Sequence, residues 1–414
     1  MYIFKAGVVG AGTMGAEIAQ VISFSGLPVA LVDVDRSALD RGMERIKGIY
    51  QRRVDRGKMD RRTMAERMDL ISVGTDHGAL ADADIVIEAI PEELDLKREA
   101  FRMLDGLCSP TALLASNTSA LSVSELGAAS GRPEKLVGMH FFFPAHIMKL
   151  VEVVPGLETS QDTVDTTVGF AESLRKIPVV VQECPGFVVN RLLLPFLNEA
   201  TYCLQEEAAT AGEIDDAIVG FGMPMGPFTL ADALGLDVAW SVAQTLYEAY
   251  GERMAPALLL RRLVEAGRTG EKSGAGFYGY AGELEEPLEE MIQAVQEETG
   301  IAGTEFKLER CLYPMVNEAS RCVQERIAEA SDIDLAMIYG TGMRRGEEPM
   351  GPLRMADEIG LDQILGELEE LEARHGPRFR PSRLLRLKVR AGHLGTKTGR
   401  GFLEHPGGDR GQDG

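Results

Sequence analysis

The chain is poor in the residues that staple or decorate small secreted folds. It has five cysteines, Cys108, Cys184, Cys203, Cys311 and Cys322, an odd number with no C-x-x-C spacing. That argues for free thiols in a reducing, cytoplasmic compartment and against both a disulfide framework and a structural zinc. No metal site is expected. There is one tryptophan, and aromatic residues make up only 6%. No apolar run approaches the ~18 residues of a membrane span. Residues 1–9 already read as a buried strand, so no signal peptide is expected. Positive charge is short overall: the net charge is −21, a poor match to nucleic acid or an anionic membrane surface. One stretch runs against that balance. From Arg36 to Arg67 there are eleven basic residues against five acids, a local charge of +6.

What is present is an ordinary globular mix, 45% apolar and 26% charged over 414 residues, enough for two or three domains. The first ~180 residues alternate apolar strand-like runs with amphipathic helical ones, the signature of βαβ units and a parallel sheet. Strands are expected at 3–9, 28–32, 85–89, 112–115, 136–141, 150–154 and 178–181. After Cys184-Pro185-Gly186 the pattern turns helical, over 187–281 and again over 307–403.

The two helical stretches repeat one another. Arg191, Pro195, Asn198, Glu199 and Ala200 recur as Arg310, Pro314, Asn317, Glu318 and Ala319, a shift of 119. Met225-Gly226-Pro227 recurs as Met350-Gly351-Pro352, a shift of 125. Gly267, Lys272, Gly274, Gly276 and Phe277 recur at that shift as Gly392, Lys397, Gly399, Gly401 and Phe402. The six extra residues fall around Arg344–Pro349. The expected organisation is an α/β Rossmann-type domain over 1–183, followed by two tandem all-α domains at 184–281 and 307–403. A partly helical linker over 282–306 joins the copies, and 404–414 form a flexible tail.

Gly10-Ala11-Gly12-Thr13-Met14-Gly15 is a G-x-G-x-x-G between an expected strand and an expected helix. In that context the first glycine makes the tight turn, the second lets the backbone approach a diphosphate, and the third packs helix on strand. Asp33 ends the next strand 18 residues after Gly15. A carboxylate there accepts both ribose hydroxyls and repels a 2′-phosphate, so the cofactor expected is NAD. Further on, His140 closes one apolar strand and Glu152 sits inside the next. A buried carboxylate needs a partner, and a His–Glu pair would make the imidazole a general base and acid. Ser116-Asn117-Thr118-Ser119 ends a strand on the same half; its hydroxyls either hold a substrate oxygen or cap a helix.

Residues 6–281 resemble the 3-hydroxyacyl-CoA dehydrogenase family. The resembling segments are V-V-G-A-G-T-M-G (8–15), the V-D at Asp33, E-A-I-P-E with Lys97 (88–97), S-N-T-S (116–119), H-F-F-F-P (140–144), L-V-E-V-V (150–154), P-G-F-V-V-N-R (185–191), M-G-P-F (225–228) and G-E-K-S-G-A-G-F-Y (270–278), in family order. The resemblance implies NAD-dependent oxidation of an L-3-hydroxyacyl-CoA to the 3-ketoacyl-CoA, a step of fatty acid oxidation. By position it gives His140 the catalytic role, Glu152 as its partner, Ser119 a contact to the substrate's 3-oxygen, and Asn190 a part in ordering both. It puts Glu92, Lys97 and Lys272 along the cofactor cleft, and Arg56, with Arg53 or Lys58, against CoA.

Two departures stand out against that pattern. Phe143 replaces a family Asn beside the nicotinamide, and Ile49 replaces a Ser near the CoA position. The resemblance also implies that single-copy relatives dimerise through the helical domain. The second copy, with Glu309 where the first has Asn190, is then expected to act as an internal partner, leaving a monomer or a weak homo-oligomer. Two other readings keep the fold: a dehydrogenase of a free, gulonate-type hydroxy acid, and a cofactor-binding protein disabled by Phe143.

Overall fold

The computed structural model describes residues 2–280 and 287–405. Its contacts form two units, which divide between Phe187 and Val188. That is four residues beyond the expected boundary.

The first unit is built on an eight-stranded sheet: β1 (Ala6–Val9), β2 (Val29–Val32), β3 (Ile71–Gly74), β4 (Ile85–Glu88), β5 (Leu113–Ser116), β6 (Leu136–Phe141), β7 (Leu150–Pro155) and β8 (Ile177–Val180), in the order 3-2-1-4-5-6-7-8. Helices α1 (Thr13–Ser25), α2 (Arg36–Asp55), α3 (Arg61–Met68), α4 (Leu94–Leu107), α5 (Val123–Ala129) and α6 (Gln161–Ser173) connect it. The central strands are buried at every position, which is why they read as unbroken apolar runs. Strands β1 to β6 are parallel.

Two features differ from the sequence expectation. The edge strand β3 was not anticipated, because only Ile71 of Ile-Ser-Val-Gly is buried and the segment lacks an apolar run. The sheet is also not wholly parallel, since β7 runs antiparallel to β6. Only residues 142–149 join them, too few for the dozen or more that a parallel crossover takes. The first strand is shorter than expected, with Tyr2 and Phe4 exposed ahead of it.

In the second unit each copy has five helices. Copy one is α7 (Val189–Gln205), α8 (Ala211–Phe221), α9 (Pro227–Leu234), α10 (Leu236–Tyr250) and α11 (Leu258–Glu265). Helix α12 (Leu288–Thr299) follows, from the expected linker, and packs on α7 and α11. Copy two is α13 (Leu308–Gln324), α14 (Ala330–Thr341), α15 (Pro352–Ile359), α16 (Leu361–His375) and α17 (Arg383–Arg390). The extra residues between α14 and α15 form a small hairpin, Arg344–Arg345 against Glu348–Pro349. Residues 406–414, most of the expected tail, lie outside the described residues.

The repeated motifs are carboxylate clamps. Asp215 accepts the N–H groups of Phe228 and Thr229 at the start of α9, and Asp334 accepts those of Leu353 and Arg354 at the start of α15. An anion there satisfies donors that a helix start leaves open and complements its dipole. The glycine of M-G-P is dictated by closeness: a Cβ on Gly226 would lie 2.1 Å from the Asp215 carboxyl carbon. Asp232 likewise accepts from Phe277 and Tyr278, and Asp357 from Phe402 and Leu403.

The two copies face each other through α7 and α13 with reciprocal contacts. Arg191 Nε donates to Glu318 at 2.9 Å, and Arg310 Nε donates to Glu199 at 2.7 Å. Arg253 reaches Glu318 at 3.3 Å, and Arg378 reaches Glu199 at 2.8 Å. Residue i meeting j while the equivalent of j meets the equivalent of i is the pattern of a twofold interface, here within one chain. Burial pushes the Glu199 carboxyl up, but Arg378 and Arg310 outweigh it and hold its pKa below the usual carboxylate range.

Candidate active site

The glycine turn follows β1 at the point where strand order reverses, β1 lying between β2 and β4. Ligands of doubly wound sheets bind outside the carboxyl ends of the strands at such a point. Each glycine has a separate steric reason. Gly10 has φ +98°, and a Cβ there would lie 2.6 Å from the Ala89 carbonyl oxygen. A Cβ on Gly15 would lie 1.8 Å from the Gly10 carbonyl oxygen. A Cβ on Gly12 would meet nothing within 4 Å, so protein packing does not require this glycine. Open space above Gly12, at an α1 start with no side-chain cap, fits an approaching diphosphate.

Asp33 completes the turn. Its Oδ2 accepts the Ala11 N–H at 2.7 Å and its Oδ1 accepts the Asp35 N–H at 2.9 Å. The carboxylate is thereby aimed at the loop from the end of β2, with lone pairs left for ribose hydroxyls. The glycine turn and the Asp33 carboxylate, the two parts expected of an NAD site, thus meet at one loop.

His140 and Glu152 face each other across the antiparallel β6–β7 pair, in register. His140 Nδ1 lies 2.8 Å from Glu152 Oε2, with the carboxylate fully buried and the imidazole nearly so. That contact orients the ring and leaves Nε2 as the nitrogen able to exchange a proton. The ring centroid sits 4.4 Å from Phe142 and 5.8 Å from Phe187. Phe187 belongs to P-G-F and has φ +49°. Nothing in the sequence pattern pointed to its place beside His140. Phe143, by contrast, is 51% exposed.

A third cluster joins the ends of β4 and β5. Glu92 Oε1 accepts from Thr118 Oγ1 at 2.6 Å, Ser119 N at 2.8 Å and Ser119 Oγ at 3.2 Å. Burial opposes ionisation of Glu92, but Lys97 and these donors outweigh it and hold its pKa below the usual range. The Ser-Asn-Thr-Ser hydroxyls do not cap the next helix, which Ser122 caps. Asn117 has a role the sequence did not show: its Oδ1 accepts the Phe141 N–H at 2.9 Å, tying the end of β6 beside His140.

The other expected site residues lie in several parts of the structure. Lys97 is 1% exposed; its ammonium lies 2.7 Å from Glu88 and 3.1 Å from Glu92, and 3.3 Å from the Ile90 carbonyl. Those acceptors commit it to the protein, and the buried Glu88 that anchors it was not singled out from the sequence. Arg53 lays its guanidinium over Phe24, 4.4 Å from the ring centroid, while Arg56 and Lys58 are exposed at the end of α2. Asn190, in the first turn of α7, belongs to the second unit. So does Lys272, whose ammonium lies 2.5 Å from Asp237. Lys397 makes the same pair with Asp362 at 2.5 Å in copy two. A contact kept in both copies is explained by the fold. Lys272→Met is expected to cost about 0.5 kcal/mol or less, the scale of an exposed ion pair, and to leave NADH affinity within twofold. A tenfold loss of NADH affinity by fluorescence titration would restore it to the cofactor cleft.

Comparison with known proteins decides the family. The 3-hydroxyacyl-CoA dehydrogenase NAD binding domain matches residues 5–184, and the C-terminal domain of that family matches twice, at 186–280 and 306–405. The chain belongs to the 3-hydroxyacyl-CoA dehydrogenase family. It is 37% identical over 402 residues to the fatty acid oxidation complex subunit alpha of Shewanella amazonensis, covering 94% of this chain and 56% of that relative's length. The crystal structure of 3-hydroxybutyryl-CoA dehydrogenase from Escherichia coli K12 matches with a TM-score of 0.85 at 31% identity, over 94% of this chain and 99% of the other. That of (S)-3-hydroxybutyryl-CoA dehydrogenase from Ralstonia eutropha matches with a TM-score of 0.66 at 38% identity, over 68% of this chain and all of the other. The repeated C-terminal match agrees with the paired helical copies. Among the described residues, no helix is long and apolar enough to cross a membrane, and no cluster of His, Cys, Asp and Glu could hold a metal ion.

Proposed function

We propose that this chain oxidises an L-3-hydroxyacyl-CoA to the 3-ketoacyl-CoA with NAD+, reversibly. The observation that carries the reading is the His140–Glu152 pair, in register on β6 and β7 of the same sheet whose β1 and β2 lead into the dinucleotide cradle. NAD+ supplies the hydride acceptor when bound. Gly10 to Gly15, with Ala11, Thr13 and Met14 between the glycines, present backbone and helix start to the diphosphate, and Asp33 holds the ribose. His140 Nε2 takes the hydroxyl proton of the substrate as the carbonyl forms, and Glu152 stabilises the resulting imidazolium. In reverse the same nitrogen returns the proton.

Ser119, held with Glu92, is the proposed contact to the 3-oxygen, and Lys97 positions Glu92 rather than touching the cofactor. Asn190 is assigned to substrate on the resemblance alone. Arg56 and Lys58, exposed in a basic stretch, are the proposed CoA contacts. Arg53 is left out because it packs on Phe24. Five free, buried thiols support a reducing, cytoplasmic setting. The reciprocal Arg–Glu pairs support a monomer, in which copy two takes the place of a partner subunit. Light scattering of the full chain at ~10 µM is expected to give a monomer mass; a stable dimer would overturn that assignment.

The decisive assay follows absorbance at 340 nm with NADH and acetoacetyl-CoA. Consumption of NADH with the thioester, and none with a free gulonate-type keto acid, is expected. The reverse preference would establish the hydroxy-acid reading. NADH binding without turnover on short or long thioesters would establish a protein disabled at Phe143.

A further inference from the structure

In copy one, the groove between α7 and α11 is filled. Helix α12, Leu-Glu-Glu-Met-Ile-Gln-Ala-Val-Gln-Glu-Glu-Thr, buries Met291, Ile292 and Val295. At its C-terminal end Gln296 Nε2 donates to the Gln205 carbonyl at 3.1 Å, and Glu298 pairs with Arg262 at 2.5 Å. The occupant is an amphipathic helix with four glutamates.

Copy two builds the same two walls from α13 and α17. Gln324 stands where Gln205 does. Gln205 Oε1 accepts the Leu259 N–H, and Gln324 Oε1 accepts the Leu384 N–H, 125 positions on. Between these walls is a cavity of about 520 Å³. It is lined by Arg321, Arg380, Arg383, Arg386 and Arg390, with Leu387 and no carboxylate. Gln324 and Leu387, which take the places of α12's two partners Gln205 and Arg262, both line it.

Only one of the five arginines has a basic counterpart in copy one. The positions equivalent to the five arginines in copy one are Tyr202, Ala255, Leu258, Arg261 and Glu265. Arg380 and Arg386 lean on Glu372 and Glu369 of α16. Arg383 and Arg390 are exposed and make no ion pair among the described residues. Leu387 is 47% exposed between them. Arg383 lies in the first turn of α17, where a helix dipole disfavours a cation. Arg321 also pairs with Glu318, so Arg383 and Arg390, on either side of the exposed Leu387, are the two of the five arginines without an acidic partner among the described residues.

We propose that the α13–α17 groove is a docking site for an acidic amphipathic helix of a partner protein, seated as α12 is seated in copy one. Apolar side chains of that helix would cover Leu387 and its flanking carboxylates would meet Arg383 and Arg390, the helix-in-groove mode of recognition.

The probe is a fluorescein-labelled peptide of residues 287–299, titrated into the full chain by anisotropy at about 50 mM salt. Saturable binding is expected, weakened at least tenfold in the double variant Arg383→Glu/Arg390→Glu. A scrambled peptide of the same composition is expected to bind at least tenfold more weakly. Both substitutions are at the surface, so the melting curve and NADH binding of the variant should match those of the parent and exclude misfolding. Absence of saturable binding overturns the proposal. So does equal binding of the scrambled peptide, which marks a general polyanion surface. So does a concentration-dependent dimer that the double variant abolishes, because the occupant is then a second copy of this chain.

Discussion

Replacing His140 by Ala is expected to lower kcat for acetoacetyl-CoA reduction by roughly 10²–10⁴-fold, the usual contribution of a positioned general acid or base. NADH affinity should change little, because the diphosphate cradle and Asp33 are separate from the imidazole. Glu152→Gln tests the other half of the pair. The amide keeps the shape and can accept the Nδ1–H, but it carries no charge to stabilise the imidazolium. A fall in kcat smaller than that of His140→Ala is therefore expected. Unchanged turnover in His140→Ala would exclude it as the proton-transfer group, and unchanged turnover in Glu152→Gln would reduce Glu152 to a packing residue.

The largest stability effect is expected at the seam between the helical copies. Arg310→Ala removes the guanidinium that lies 2.7 Å from Glu199 and 2.9 Å from Glu206 in a fully buried setting. Breaking a buried pair by removing one member costs about 3–5 kcal/mol, since the remaining charge stays buried with less compensation. At the size of this unit each kcal/mol is worth about 2–4 °C, so Tm should fall by about 10 °C. Arg374→Ala, at an exposed position whose guanidinium is 4.0 Å from Glu370, is the control and should stay within about 0.5 kcal/mol. If the two variants melt together, the copies are held by apolar contact and the ion clusters do not stabilise the seam.

The same comparison shows why the duplication keeps some residues and lets others drift. Arg310, Glu318, Asp334, Gly351 and Asp357 repeat because each meets a partner that also repeats. Lys272 repeats for that reason as well, through Asp237. Arg383 and Arg390 of α17 have Leu258 and Glu265 as their counterparts in copy one, and they line an open cavity.

The sequence by itself determined the alternation of strands and helices, the glycine turn with its acidic partner and the duplicated helices. Each of these is written in local spacing: period-2 and period-3.6 burial, fixed offsets along one turn, or a repeat at constant shift. The tertiary structure alone decided the reversal of β7, the edge strand β3, the burial of Lys97 against Glu88, the tie from Asn117 to β6, and the packing of α12 on copy one. Those depend on which distant segments meet, and a buried ammonium or a half-exposed edge carries no periodic mark. Residue type showed that an acid at 152 needs a partner. Only the antiparallel register, set by the short connection between β6 and β7, puts His140 opposite it.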